Sequence, residues 1–232
     1  MSDLSAFPIT SRWPAKDPSV IQLYSYPTPN GVKVSIALEE MGLAYEPHLV
    51  TLKDEDVKSD AFLSLSPNNK IPAIIDPNGP DGAPIGMWES GAILLYLAKK
   101  SGKFGGTTAT ETANITKWLM FQMGGLGPMF GQLGFFYKFA GKDVEDPRPV
   151  QRYVDEAKRL LAVVEKQLDG QDWIAGDFSI ADIAIAPWLN ALDFYGAKDV
   201  TGYNDLTNVP AYVDRFFDRP AVAKGRLIPN PS

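Results

Sequence analysis

The sequence predicts two structural modules, an α/β module at residues 20–103 and an all-helical module at residues 104–232. In the first module, the patterns of apolar residues and turn residues give the element order β-α-β-α-β-β-α. A small polar linker at residues 107–112 follows, and beyond it no segment shows the alternation of a half-buried strand. The change from mixed to purely helical patterns therefore predicts an α/β module followed by a helical one.

Alternation and helical spacing define the elements of the first module. The segment 21–24 alternates and is rich in β-forming residues, which predicts a strand. In the segment 32–41, apolar residues recur at helical spacing, and Gly42 provides a C-terminal stop. The polar segment 53–60 is predicted to be a loop, and the turn residues between the last two strands indicate an antiparallel hairpin. Further strands are predicted at 45–50, 73–75 and 84–88, and further helices at 61–65 and 92–100.

The N-terminal segment, residues 1–19, contains prolines at positions 8, 14 and 18 and shows little periodicity. These features predict an arm outside the core. The segment also lacks the apolar stretch of a signal peptide, so the cytoplasm is the expected location.

The second module is predicted to contain long helices. One of them is rich in glycine around Pro128, and glycine costs about 1 kcal/mol relative to alanine inside a helix. Such a run either bends the helix or lets another body approach its backbone, and close helix packing explains it equally well. Ser179 and Asp182 have the spacing of a capping box, which predicts a role in folding. The predicted helices are 112–138, 149–168, 180–193 and 209–217, and the glycines are Gly124, Gly125, Gly127, Gly131 and Gly134.

The composition excludes several classes of function. With 45% hydrophobic and 22% charged residues among 232, the chain is of ordinary globular type. The net charge of −6 argues against a broad nucleic-acid-binding surface. No run approaches the roughly 18 apolar residues of a membrane-spanning helix. The absence of cysteine excludes a cysteine nucleophile, disulfides and thiolate metal sites. Because the chain has a single histidine, His48, neither a zinc site nor a Ser-His-Asp triad is expected, and no metal is predicted. His48 itself is predicted to be a strand residue.

Two short motifs point to a binding site. Pro72 precedes a buried apolar run, as proline does at the beginning of a strand. The residue before it, Ile71, is pushed toward an extended conformation, which makes its backbone available to an extended peptide. Glu89 and Ser90 place a carboxylate and a hydroxyl at a helix start, where free N–H groups favour an anion. These groups suit a small zwitterionic peptide, although an ordinary edge strand and N-cap give the same pattern. The seam between the modules is the usual place for such a site.

The combination of these motifs resembles the cytosolic glutathione transferases over residues 20 to about 225. Four segments are more specifically similar to the nu class, bacterial enzymes akin to fungal nitrogen-regulator proteins of the same fold. The resemblance implies a thioredoxin-like N-terminal domain, an all-helical C-terminal domain and a homodimer. The four segments are 28–31, 66–72, 89–97 and 124–129.

The resemblance also implies how glutathione is held by the first domain. Pro72 is expected to follow a cis peptide bond, and the Ile71 backbone is expected to pair with the cysteinyl part. Glu89 would hold the ammonium group of the γ-glutamyl end and Ser90 its carboxylate, while Lys70 would lie beside the peptide.

Further residues follow from the same resemblance. Thr28 and Asn30 are expected to flank the sulfur. In the helical domain, Arg152 matches the family's arginine that meets glutathione carboxylates, and Gln122 is a weaker match. In the nu class, the pocket takes two reduced glutathione molecules or the disulfide.

The sulfur chemistry fits a chain without cysteine. A thiol with a pKa near 8.5 is only a few per cent thiolate at pH 7, and a hydroxyl donor lowers that pKa. Thr28, on a turn before a helix, can donate its O–H, and the helix start adds positive potential. Other classes use a tyrosine or serine near the end of the first strand, so Tyr24, Ser25 and Tyr26 are alternatives. Tyr24 is predicted to face the core, which leaves Tyr26 as the strongest of the three.

Two regions leave alternatives open. Nu-class enzymes tend to carry a glycine-rich segment with a glutamine before the short second helix, whereas residues 53–58 of this chain are charged. The acidic residues there either meet a cationic group or form a solvated loop. After the glycines lies an aromatic cluster that is either core or, in part, a lining for the second substrate; its members are Phe130, Phe135, Phe136, Tyr137 and Phe139. Phe135 and Tyr137 are the strongest candidates for that lining.

The sequence therefore predicts a glutathione-dependent disulfide-bond reductase or glutathione transferase. One alternative is the glutathione-dependent cleavage of aromatic ethers or thioethers. Others are a non-catalytic glutathione-binding regulatory protein and a structural protein with a vestigial site, because a fold does not fix a function.

Overall fold

The computed structural model describes residues 4–230, and these residues form two compact units. One unit contains the chain up to Gly102 together with the segment from Pro220 onward, and the other spans Lys103–Arg219. The helices, in chain order, are α1 Gly31–Met41, α2 Asp54–Val57, α3 Asp60–Leu63, α4 Ser90–Ser101, α5 Ala109–Phe121, α6 Gly127–Tyr137, α7 Arg148–Gln167, α8 Ile180–Tyr195, α9 Asn208–Phe217 and α10 Pro220–Gly225.

A four-stranded mixed sheet forms the centre of the first unit. Its strands lie in the order β2-β1-β3-β4. The pair β1–β2 is parallel, and β3 runs antiparallel to both β1 and β4. The α/β character and the final hairpin predicted from the sequence are thus confirmed. The strands are β1 Ile21–Ser25, β2 Tyr45–Leu49, β3 Ala73–Asp76 and β4 Ile85–Trp88.

The helical module predicted at residues 104–232 extends too far toward the C-terminus, because α10 belongs to the first unit rather than to the helical one. Gly225 allows α10 to lie directly on α1, since a Cβ there would stand 2.7 Å from the Ile36 Cα. The Ser35 hydroxyl also donates to the Gly225 carbonyl over 2.7 Å. This contact joins residues 190 positions apart, and no local pattern could indicate it.

The prediction of an N-terminal arm outside the core is also wrong for the described part of that segment, and residues 1–3 lie outside the described range. Leu4 and Ile9 are buried, and both belong to an apolar cluster beside the sheet. The Trp13 indole N–H donates to the Leu49 carbonyl over 3.0 Å. The segment packs through irregular backbone and a single 3-10 turn at Pro8–Ser11, which explains why it shows no periodicity.

The helical unit contains a continuous run of helical residues from Ala109 to Tyr137, close to the predicted helix 112–138. Its middle, Gln122–Leu126, is π-helical. Close helix packing explains two of the glycines that follow. A Cβ on Gly131 would meet the Trp188 ring at 3.4 Å, and one on Gly134 would overlap the Tyr195 ring at 2.6 Å.

The predicted capping box at the start of α8 is confirmed. The Ser179 hydroxyl accepts the Ala181 N–H, and the Asp182 carboxylate accepts the Ser179 N–H over 2.9 Å. Asp182 also accepts from the Ile174 N–H and the Tyr212 hydroxyl. Burial raises the pKa of Asp182 to about 6, although these hydrogen bonds act to lower it. The motif therefore organises the core of the helical unit.

Within residues 4–230, none of the helices combines the length and the apolar character that crossing a membrane requires. The same part of the chain brings no three histidine, cysteine, aspartate or glutamate side chains together in a way that could hold a metal ion.

Candidate functional site

The turn between β1 and α1 places Thr28 at the start of the helix. Its backbone N–H donates to the Tyr26 carbonyl over 2.7 Å, and its carbonyl accepts the Val32 N–H. The Thr28 hydroxyl oxygen accepts the Gly31 N–H over 3.2 Å. A hydroxyl oxygen that already accepts a hydrogen bond can still donate its own hydrogen. The Thr28 hydroxyl thus lies at the positive end of α1 and is able to donate its hydrogen.

A buried lysine connects the two ends of the predicted site. Lys33, on the first turn of α1, is 0% exposed, and its Nζ lies 2.8 Å from the Asn30 Oδ1. The same Nζ lies 3.4 Å from the Ser90 hydroxyl at the start of α4. The structure therefore brings Asn30 and Ser90 together through a residue that the sequence analysis did not select.

The pKa of the Lys33 ammonium group lies far below the usual value of a lysine. Burial lowers the pKa of Lys33 to about 7, and the negative charge of Glu89 opposes this shift. The group therefore titrates close to neutral pH, where an exposed lysine remains fully protonated.

The chain approaches β3 through a tight turn and a cis peptide bond between Ile71 and Pro72, as expected. The Ser66 hydroxyl donates to the Lys70 carbonyl over 2.8 Å and fixes that turn. Within residues 4–230, no other residue forms a hydrogen bond with the Ile71 backbone. The Ile71 backbone is therefore able to pair with a ligand, whereas the Lys70 side chain is exposed.

Glu89 stands at the N-terminus of α4 with a positive φ of 71°, a conformation that a residue with a side chain rarely adopts. Its carboxylate is exposed and accepts from the Asn68 amide over 3.3 Å. Ser90, the first residue of α4, is buried. The strained backbone thus presents a carboxylate to solvent directly beside a buried hydroxyl, which supports a functional reading of this pair.

The structure weakens the alternatives to Thr28. Tyr24 is fully buried, stacks on His48 at a ring distance of 4.7 Å, and belongs to the apolar cluster. Burial raises its pKa well above the usual range of a phenol. Ser25 is also fully buried. Tyr26 is half-buried and packs against the same cluster, so it remains the strongest alternative.

The two remaining predicted site residues lie in the helical unit. Gln122 is buried in the π-helical segment, where its amide lies against Gly127. Arg152 is exposed on α7 and lines a surface depression of this unit. The depression carries two guanidinium groups and two carboxylates, and the Arg159 guanidinium is paired with the Glu156 carboxylate over 2.7 Å. Its lining residues are Met129, Arg152, Tyr153, Asp155, Glu156 and Arg159.

The charged segment 53–58 is partly helical, so the predicted loop is wrong there. Asp56 accepts from the backbone N–H and hydroxyl of Thr51 and forms an ion pair with Arg12. Asp54 and Glu55 are exposed. Asp56 thus meets a cationic group of the chain itself, and its role is to anchor the N-terminal segment.

The aromatic cluster after the glycines divides between core and surface. Phe130 is fully buried, whereas Phe135 is 43% exposed and packs edge-to-face on Phe136. Tyr137 is half-buried. Phe135 and Tyr137 as lining for a second substrate remain predictions.

Comparison with known proteins identifies the family. The family models described as "Glutathione S-transferase, N-terminal domain" and "Glutathione S-transferase, C-terminal domain" match residues 19–99 and 147–219. The disulfide-bond oxidoreductase YfcG of Escherichia coli is 46% identical over 210 residues, covering 90% of this chain and 95% of that protein.

Two solved structures are also similar. A glutathione transferase from Burkholderia graminis, with two glutathione molecules bound per subunit, is 58% identical with a TM-score of 0.98, covering 100% of this chain and 98% of that one. A glutathione transferase from Pseudomonas putida, with one glutathione disulfide bound per subunit, is 56% identical with a TM-score of 0.96, covering 98% and 99%. The chain belongs to the glutathione transferase family.

Proposed function

We propose that this protein is a glutathione-dependent disulfide-bond oxidoreductase of the nu class. The observation that carries the proposal is that Ala73, two residues after Ile71, pairs with Trp88, directly before Glu89 and Ser90, so that the Ile71 backbone and these two side chains belong to neighbouring segments of one unit. Similarity to the disulfide-bond oxidoreductase of Escherichia coli supports the disulfide chemistry, and the glutathione bound in the two similar bacterial structures supports the ligand.

The proposed role of each residue follows from its chemistry. The Ile71 backbone pairs with the cysteinyl peptide unit of glutathione, as an extended peptide pairs with a strand edge. Glu89 neutralises the γ-glutamyl ammonium, and Ser90 at the N-terminus of α4 binds the neighbouring carboxylate. Lys70 directly precedes Ile71 and its side chain is exposed, so it can contact the bound peptide from the solvent side.

When bound, glutathione supplies the sulfur nucleophile that exchanges with a disulfide. Thr28 donates its hydroxyl hydrogen to that sulfur, and the first N–H groups of α1 add positive potential. Asn30 presents a second donor from the same turn. These groups stabilise the thiolate at neutral pH without a cysteine or a metal ion of the chain.

Arg152 and Gln122 are proposed to act from the helical unit. The exposed guanidinium of Arg152 is suited to bind a glutathione carboxylate in a bidentate manner. The ligands in the two similar bacterial structures support the binding of two glutathione molecules or of their disulfide.

Calorimetric titration with reduced and with oxidised glutathione tests the proposal. We expect both to bind, with the oxidised form as tight as the reduced form or tighter, and Ser90→Ala to weaken both by about tenfold through loss of a hydrogen bond to a charged group. Turnover of 2-hydroxyethyl disulfide distinguishes an enzyme from a binding protein. Tight binding of the reduced form alone would favour aromatic ether or thioether cleavage, and no binding of either would contradict the proposal.

We also infer a homodimer in the cytoplasm, from the family resemblance. Light scattering at micromolar concentration should give about twice the 25.4 kDa mass of the chain. A mass equal to that of one chain would contradict the inference.

A further inference from the structure

A side-chain amide joins the two segments that carry the proposed peptide-binding groups. The Asn68 Nδ2 donates to the Glu89 Oε1 over 3.3 Å, and both side chains are exposed. Asn68 lies in the turn that precedes Ile71, and Glu89 stands directly before α4. Because the pair is open to solvent, it adds little to the stability of the fold. A role in organising the site therefore explains this contact better than a role in folding.

The backbone holds the two partners next to each other. In the turn, the Asn69 N–H donates to the Ser66 carbonyl over 3.0 Å, and Asn69 has a positive φ of 59°, which asparagine tolerates better than most residues. Beyond the turn, Ala73 of β3 pairs with Trp88 of β4. The strand that follows the turn therefore lies beside the strand that leads into Glu89, and the sheet itself sets the separation of the two segments.

The hydrogen bond has a consequence for ligand binding. An ionised carboxylate only accepts, so it is the NH₂ group of Asn68 that faces Glu89. A surface glutamate without such a contact samples many rotamers, and fixing it when a ligand binds costs conformational entropy. The contact with Asn68 restricts the carboxylate before the ligand arrives. Since a carboxylate has about four acceptor positions, accepting one N–H leaves it able to bind an ammonium group.

We propose that Asn68 is a positioning residue that holds the Glu89 carboxylate for the α-ammonium group of a γ-glutamyl ligand. The inference rests on the proposed function, in which Glu89 neutralises that ammonium. Asn68 acts through Glu89 and thereby favours ligands that carry a free amino group at this end. It contributes to affinity rather than to the rate of disulfide exchange, because the sulfur is assigned to Thr28 and Asn30.

The test compares two ligands that differ by one amino group. S-methylglutathione carries the α-ammonium, whereas the glutaryl analogue of S-methylcysteinylglycine lacks only that group and keeps both carboxylates. Neither ligand has a thiol that titrates. Their dissociation constants are measured by calorimetry at about pH 6.5, where α-amino groups are largely protonated and carboxyl groups are ionised.

We expect Asn68→Ala to bind S-methylglutathione about fivefold more weakly than the wild type, the effect of leaving one long side chain unrestrained before binding. Its affinity for the glutaryl analogue should be unchanged, because that ligand offers Glu89 no ammonium. Asn78→Ala is the matched control, since the Asn78 Nδ2 also donates over 3.3 Å within the same unit, to the Ser19 carbonyl. The control should bind both ligands like the wild type, and both variants should melt like the wild type because the altered side chains are exposed.

A double-mutant cycle shows whether Asn68 acts through Glu89. In a Glu89→Ala background, we expect Asn68→Ala to have no further effect on the binding of S-methylglutathione, which NMR titration measures even when binding is weak. A fivefold loss that persisted in this background would show that Asn68 contacts the ligand itself, and the positioning role would be overturned.

The other outcomes separate this inference from the proposed function. If Asn68→Ala weakened the binding of both ligands equally, or of neither, the positioning role would fail and the proposed function would stand. If the wild type bound both ligands equally, Glu89 would not recognise the ammonium, and its role would fail together with that of Asn68. Absence of S-methylglutathione binding to the wild type would contradict the proposed function as well.

Discussion

Replacing Thr28 by alanine should lower the rate of glutathione-dependent disulfide reduction about a hundredfold, the cost typical of removing one preorganised donor from a developing or stabilised anion. The Thr28 hydroxyl is held by the Gly31 N–H and has its hydrogen available to a sulfur. Its loss should also raise the pKa of the bound thiol, which the ultraviolet absorbance of the thiolate measures. Thr28→Ser, which keeps the hydroxyl, should retain most of the activity.

Tyr26→Phe is the matched control, because it removes the hydroxyl of the strongest alternative without changing the ring that packs against the core cluster. We expect this variant to turn over at close to the wild-type rate. Full turnover by Thr28→Ala together with an inactive Tyr26→Phe would assign the thiolate to Tyr26. Melting curves of both variants are needed, since loss of the Thr28 contact to Gly31 costs about 1 kcal/mol of stability.

The elements of the α/β unit could be predicted because their signals are local. The segment 21–24 alternates, Gly42 ends α1 in the left-handed conformation, and Pro72 precedes β3. Segments that fold against distant partners could not be predicted in this way. Ile9 is buried although the segment around it shows no periodicity of apolar residues, and α10 joins the unit through contacts with α1.

The candidate site shows the same division. Glu89 and Ser90 could be predicted as binding residues because their carboxylate and hydroxyl stand at the start of a predicted helix. Lys33 could not, because a lysine on an amphipathic helix ordinarily faces solvent. Its burial depends on where the start of α4 meets α1, which is a tertiary contact between positions 57 residues apart. The one available signal was that Lys33 lies between Val32 and Val34, in a helix whose first eight residues are all buried.

Replacing Gly31 by alanine should destabilise the α/β unit by about 4 kcal/mol, at the upper end of the range for single substitutions. An added Cβ would stand 1.8 Å from the Tyr26 carbonyl oxygen and 2.7 Å from the Ser25 hydroxyl oxygen. The Tyr26 carbonyl cannot move away freely, because it accepts the Thr28 N–H over 2.7 Å. Urea titration followed by circular dichroism would measure the loss.

Gly124→Ala provides the matched control for that substitution. A Cβ on Gly124 would meet no atom within 4 Å, and its backbone has no positive φ, so we expect a change within about 1 kcal/mol. Wild-type stability of Gly31→Ala would contradict the prediction, because it would show that the turn rearranges to accommodate a Cβ. Because the same turn holds Thr28, we expect Gly31→Ala to lose glutathione binding and stability together, whereas Thr28→Ala should lose turnover while remaining folded. This contrast separates the shape of the turn from the chemistry of the hydroxyl that it carries.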